Sequence, residues 1–150
     1  MHIIFGTMTG NAEDLADRFA KRCEQENLPY SLTSADNWPM EKFQSAKRAV
    51  LIFSTWGEGE PPDDAIDFCE SVYDQKAEVA HLEYAVVGLG DTSYDDFCGC
   101  ARRLDESLKA AGATPFSERL ELDIDFDDDF DAWTDKFFSS QKVLSQSHQG

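Results

Sequence analysis

Seven residues, Gly6-Thr7-Met8-Thr9-Gly10-Asn11-Ala12, constrain the fold more than any other stretch, because they must turn a buried strand straight into a helix. The apolar run Ile3-Ile4-Phe5 precedes them. Ala12, Leu15, Ala16, Phe19, Ala20 and Cys23 follow at the i, i+3, i+4, i+7, i+8, i+11 spacing of one helix face. Two glycines let the backbone turn and come close to a ligand, and Thr7 and Thr9 offer hydroxyl donors. The free N–H groups of the helix start, with the positive end of the macrodipole behind them, face the same hollow. Such a hollow suits a phosphate. A Walker-type loop needs a lysine followed by Ser or Thr, whereas Asn11-Ala12 stand after Gly10, which argues against a triphosphate. The dinucleotide fingerprint is absent too, since Gly88-Leu89-Gly90 runs on as Asp91-Thr92-Ser93 without its third glycine. The loop therefore reads as a site for a terminal monophosphate; by itself it leaves open a structural turn with no ligand.

The same alternation of strand, loop and helix continues down the chain. Leu28, Tyr30 and Leu32 alternate with polar residues as a half-buried strand, and a connector with Trp38-Pro39 carries a short helix near Met40 to Phe43. Ala49 to Phe53 is continuously apolar, as is Tyr84 to Leu89, so both are strands covered on two faces. A helix follows each, marked by Ala65, Ile66, Cys69, Val72 and Tyr73 in the first case. Phe97, Ala101, Leu104, Leu108 and Ala111 mark the second, which stops at Gly112. Leu120, Leu122 and Ile124 alternate as a last strand before an amphipathic helix with Phe130, Trp133, Phe137 and Phe138. This predicts an α/β three-layer sandwich, a five-stranded parallel sheet of order 2-1-3-4-5 with helices on both faces. Ligands of such a sheet bind beyond the carboxyl ends of its strands, at the switch point between strands one and three. The loops at Gly6 to Ala12, Ser54 to Glu60 and Gly90 to Asp96 all belong to that edge.

A length of 150 residues fits a single domain, read as 1–138, with a polar tail at 139–150 expected to fray. No apolar run is long enough to span a membrane and no signal peptide precedes the first strand, so a soluble, cytoplasmic protein is expected. Cys23, Cys69, Cys98 and Cys100 read as reduced thiols; Cys98-x-Cys100 has no second pair at zinc spacing, so no metal site is expected. The formal charge of −17 disfavours nucleic acid and favours a basic protein partner, although acid can also serve solubility alone. The aspartates from Asp123 to Asp135 are in part helix N-terminal charge. With Glu58, Glu60, Asp63, Asp64, Asp95 and Asp96 they are expected to frame a partner surface. His2, His81 and His148 read as surface residues, and no nucleophile or acid–base pair presents itself as catalytic.

Trp56 and Tyr94 place one large ring on each of the two loops that flank the phosphate turn, and a flat ligand between them would explain both. T-M-T-G-N-A at 7–12, S-T-W-G-E-G-E at 54–60 and G-L-G-D-T-S-Y-D-D-F-C-G at 88–99 resemble the three flavin mononucleotide loops of the flavodoxin family. That family includes short free-standing flavodoxins and small proteins of the MioC type; the middle loop also resembles the flavodoxin domains of diflavin reductases. The resemblance implies FMN as cofactor, with Thr7, Met8, Thr9, Gly10, Asn11 and Ala12 around its phosphate and Ser54 and Thr55 along the ribityl approach. It further implies Trp56 and Tyr94 on opposite faces of the ring, with Gly57, Leu89, Gly90, Asp91, Phe97 and Cys98 at its edges. Carboxylates around the flavin would lower its potential, and a peptide flip at Gly57 would favour the one-electron-reduced neutral form. The implied function is one-electron transfer by a monomer, from an NAD(P)H-linked flavoprotein reductase to a redox enzyme. An FMN-dependent NAD(P)H or quinone reductase, and an interaction module that has lost FMN, stand as alternatives.

Overall fold

The computed structural model describes residues 1–6, 10–54, 65–74, 79–90, 99–123 and 126–149, with backbone alone for Met40 and 140–149. In chain order the elements are β1 (His2–Gly6), α1 (Asn11–Gln25), β2 (Ser31–Ser34), two 3₁₀ turns (Ala35–Asn37 and Met40–Gln44) and β3 (Arg48–Ser54). They continue with α2 (Ile66–Tyr73), β4 (Glu83–Leu89), α3 (Gly99–Ala110), β5 (Thr114–Pro115), β6 (Leu120–Leu122) and α4 (Asp127–Gln149). All strand pairs are parallel, in the order β2-β1-β3-β4-β5, with β6 also on β4.

The central strands β1, β3 and β4 are buried on both faces, and the alternation of their side chains divides the core in two. Ile4, Leu51, Phe53, Tyr84 and Val86 pack with α2, α3, Trp38 between the two 3₁₀ turns and Phe43 on the second. Ile3, Phe5, Val50, Ile52, Val87 and Leu89 pack with α1 and α4, where Phe19 meets Phe137 and Phe138, each at a 5.5 Å ring separation. Each fully buried side chain of this size contributes about 1.5–3 kcal/mol, so the two faces together hold the sheet in register.

The expected single fifth strand is two short ones. Two residues of β4, Ala85 and Val86, stand opposite the four residues 116–119, so the chain bulges between β5 and β6. A buried polar cluster accounts for the detour. Tyr84 Oη donates to Asp105 Oδ1 at 2.5 Å, and Arg119 Nη1, from the bulge, donates to Asp105 Oδ2 at 2.7 Å. Trp133 Nε1 on α4 holds the same bulge through Ser117 Oγ at 3.1 Å. Burial, then the bond to Asp105, raises the Tyr84 phenol above its ordinary value, so it stays a donor.

Other expectations shift by a few residues. The second strand begins at Ser31 because Pro29 has no N–H to donate, and the first ladder bond is Ser31 N–H to the Met1 carbonyl at 2.9 Å. Ile66, placed on a core face by its spacing, is 38% exposed, while Phe68 is buried in its place. Residues from Ser139 to Gln149 extend α4, since Ser and Gln tolerate a helix and no Gly or Pro interrupts them before Gly150. His2 is half buried rather than a surface residue. It bonds Ser31 Oγ through Nδ1 at 2.7 Å and meets the Trp38 ring edge-on, and burial lowers its pKa. The αL glycine at the end of α3 is as expected: Gly112 has φ +98°, and the Gly112 and Ala113 amides bond the Lys109 and Leu108 carbonyls.

Among the described residues, removing the Asp105 carboxylate leaves Tyr84 Oη with only the Asp105 carbonyl at 3.1 Å, and Arg119 with only the Glu121 carboxylate at 3.7 Å, in a largely buried site. Asp105→Ala is expected to cost roughly 2–4 kcal/mol, and Tyr84→Phe about 1 kcal/mol, in urea unfolding midpoints at constant slope.

Candidate functional site

Sheet order alone sets the location. The chain leaves β1 upward into α1 on one face and β3 upward into α2 on the other, so the carboxyl ends of these neighbouring strands open a crevice. Of the sixteen residues expected there, Gly10, Asn11, Ala12, Ser54, Leu89 and Gly90 are described. Thr7, Met8, Thr9, Thr55, Trp56, Gly57, Asp91, Tyr94, Phe97 and Cys98 lie outside the described residues.

Gly10 caps α1 in the left-handed region, φ 91° and ψ −7°, a conformation open to glycine and costly for other residues. No described atom comes within 4 Å of where a Cβ would stand on it. Among the described residues no side chain caps the helix, and its ladder begins with Asp14 N–H to the Gly10 carbonyl at 2.9 Å. The amides of Asn11, Ala12 and Glu13 are thus outside that ladder and form the anion-accepting end of a 15-residue helix. Ala12 can offer a ligand its amide but not its side chain, which is fully buried against the sheet.

The two glycines of the turn have different work. A Cβ on Gly6 would stand 2.8 Å from Ala65 Cβ and 2.8 Å from the Phe53 ring. Gly6 therefore allows β1, β3 and the start of α2 to close up, a packing requirement that its reading as a ligand-approach residue missed; the missing signal was Ala65, a small residue just ahead of α2. Ser54 ends β3 and is buried at 8% exposure, a hydroxyl held at the crevice floor. Leu89 turns its side chain into the core with Leu122, and the Gly90 amide donates to the Leu122 carbonyl at 2.9 Å. These two residues offer the crevice backbone only, and they fix where the third loop departs.

Three of the aspartates of α4 are engaged by α1. Arg18 bonds Asp127 at 2.8 Å and Asp131 at 2.7 Å, and Arg22 bonds Asp135 at 2.6 Å, so these three members of the expected acidic frame clamp α4 to α1. Arg18 and Arg22 also lie over the rings of Phe130 and Phe138. Glu58, Glu60, Asp63, Asp64, Asp95 and Asp96 lie outside the described residues. Among the described residues no group of three metal-ligating side chains occurs, and no helix is long and apolar enough to cross a membrane.

Residues 3–133 match the family model for flavodoxin. The chain belongs to the flavodoxin family. It is 39% identical over 141 residues to the sulfite reductase [NADPH] flavoprotein alpha-component of Photobacterium profundum, covering 93% of this chain and 23% of that protein. It is 32% identical over 132 residues to the corresponding Bacillus subtilis protein, covering 87% of the chain and 22% of the relative. The chain thus spans less than a quarter of the length of these relatives. Among solved structures, a Streptococcus pneumoniae flavodoxin superposes with a TM-score of 0.83 at 29% identity, over 95% of this chain and 97% of that one. Oxidised flavodoxin 2 from Bacillus cereus gives 0.78 at 26% identity, over 93% and 97%.

FMN is the family's cofactor. The crevice fits its phosphate end: the space over Gly10 is clear of described atoms, no described side chain caps the start of α1, and Ser54 ends β3 with a buried side chain.

Gly10→Ala must carry a Cβ in the left-handed region, at a cost of about 1–2 kcal/mol, and is expected to bind FMN more weakly while keeping the far-ultraviolet circular dichroism of the parent. Gly6→Ala meets packed atoms instead, so it is expected to lose about 1–3 kcal/mol of stability whether or not FMN is present, in thermal melts with and without cofactor.

Proposed function

We propose that the chain carries FMN at the carboxyl edge of its sheet and relays single electrons from an NAD(P)H-linked flavoprotein reductase to a redox enzyme. Membership of the flavodoxin family supports electron transfer as the general role. The observation that supports the finer reading is the adjacency of three strand ends. The segments following β1, β3 and β4 leave adjacent strand ends of one sheet, and each bears its own part of the motif set. The sulfite reductase relatives bear an NADPH-linked name, which supports a reductase of that class as donor.

FMN supplies the one-electron chemistry when bound. The chain's part is to hold and tune it. Thr7, Thr9 and the amides at Gly10 to Ala12 bind the phosphate without a fixed cation, so the neutralising field comes from the helix start. Ser54 and Thr55 orient the chain between phosphate and ring, and Trp56 and Tyr94 cover the two ring faces and exclude water. Gly57, Leu89, Gly90, Asp91, Phe97 and Cys98 border the ring, with Gly57 able to present either a carbonyl or an amide. The surplus of acid in the chain makes added negative charge costly beside the ring, which lowers the potential. The unit that does this is residues 1–138, working as a monomer in the cytoplasm with basic protein partners.

Anaerobic reductive titration of the FMN-loaded protein is expected to resolve two separate one-electron steps; a single two-electron step would favour direct reduction of small substrates, and failure to bind FMN would end the reading. Trp56→Ala is expected to weaken FMN roughly tenfold to hundredfold, as loss of one stacking face does for other flat rings. Reduction by a basic reductase is expected to slow as salt rises from about 20 to 500 mM; a flat profile would remove charge steering from the account.

A further inference from the structure

Cys69 on α2 and Cys100 on α3 are both fully buried, with their Sγ atoms 3.8 Å apart. They sit in the core layer that covers one face of the sheet. Tyr73, one turn after Cys69, directs its hydroxyl to Cys100 Sγ at 3.9 Å. Cys100 is the second residue of a 12-residue helix, where the macrodipole favours a thiolate. The hydrogen bond from Cys69 first, then the Tyr73 hydroxyl and the Arg103 charge, lower its pKa against the opposing effect of burial. Cys23 provides the contrast. It lies across the sheet in the other core layer, and burial pushes its thiol up to about 11.

We infer that Cys69 and Cys100 form an oxidisable dithiol, which hydrogen peroxide converts into an intramolecular disulfide joining α2 to α3. The Cys100 thiolate attacks one peroxide oxygen, the O–O bond breaks, and the departing hydroxide takes a proton to become water, leaving Cys100 as a sulfenic acid. Cys69 sulfur then attacks the Cys100 sulfur, the S–S bond forms, and the displaced hydroxyl leaves as a second water with the Cys69 proton. Two thiols lose two electrons and two protons, and one peroxide becomes two waters. The sulfurs must close by about 2 Å to reach bonding distance, a displacement within reach of side-chain rotation at the two residues. Because α2 and α3 follow the segments 55–64 and 91–98, the bond would tie together the two helices on which those segments end. The inference stands on the thiol geometry and not on the flavin reading.

The test treats the reduced, FMN-loaded protein with a small excess of hydrogen peroxide, removes the oxidant with catalase, and alkylates in guanidinium chloride. Two of the four cysteines are expected to escape alkylation, the intact mass before alkylation to fall by about 2 Da, and a non-reduced peptide map to join Cys69 to Cys100. Dithiothreitol should restore all four thiols. Cys23→Ser should form the same bridge. In Cys69→Ser the reaction should stop at Cys100, which dimedone would then trap, whereas Cys100→Ser should give neither bridge nor adduct at Cys69. Complete alkylation, oxygen adducts without a bridge, or a bridge that uses Cys23 or Cys98 would overturn the assignment. The map of the unsubstituted protein decides even where a serine variant fails to fold.

Discussion

Burial of three parallel strands on both faces is the constraint on which everything else depends. A parallel strand with one wet face would leave half of Ile3-Ile4-Phe5 or Val50-Leu51-Ile52-Phe53 in water, so helices must cover both sides and each connection must cross over the sheet. Crossing in opposite directions from neighbouring strands is what opens a crevice at their carboxyl ends. The site is thus a by-product of the covering, and the same close packing that needs Gly6 beside Ala65 and Phe53 brings the floor of the crevice together.

The order of the sheet was legible because the apolar pattern distinguishes strands covered on two faces from those at an edge. Leu32 at 37% exposure on β2 is what an edge predicts. The turn from β1 into α1 was legible for a related reason: its glycines and the apolar helix face that follows are local signals, and Gly10 adopts the left-handed geometry that makes glycine necessary. What sequence did not reveal is long-range. The bulge between β5 and β6 depends on Asp105 of α3 reaching Tyr84 and Arg119, and no periodicity within one segment records a contact between three. The aspartates of α4 are similar. In sequence they look like one acidic surface, and only the packing of α4 beside α1 shows that Arg18 and Arg22 already engage three of them.

That clamp changes how the charge of −17 is to be understood. Ion pairs at the edge of a groove contribute modestly one by one, yet three on successive turns, with two guanidinium groups also lying over Phe130 and Phe138, fix the rotation of α4 about its axis. The exposed Asp128 and Asp129 at the start of the same helix stand outside these three pairs.

The split fifth strand also bears on how copies of the chain behave when crowded together. An open sheet has two outer strands, and a long straight one invites a second molecule to add a strand of its own. Here one outer strand is the four-residue β2, and the other is broken into pieces of two and three residues by a bulge anchored inward through Arg119 and Ser117. Among the described residues neither border offers an uninterrupted row of amides and carbonyls long enough to template a growing fibril. The molecule is thereby protected from edge-to-edge aggregation by backbone geometry, even where salt has screened its charge.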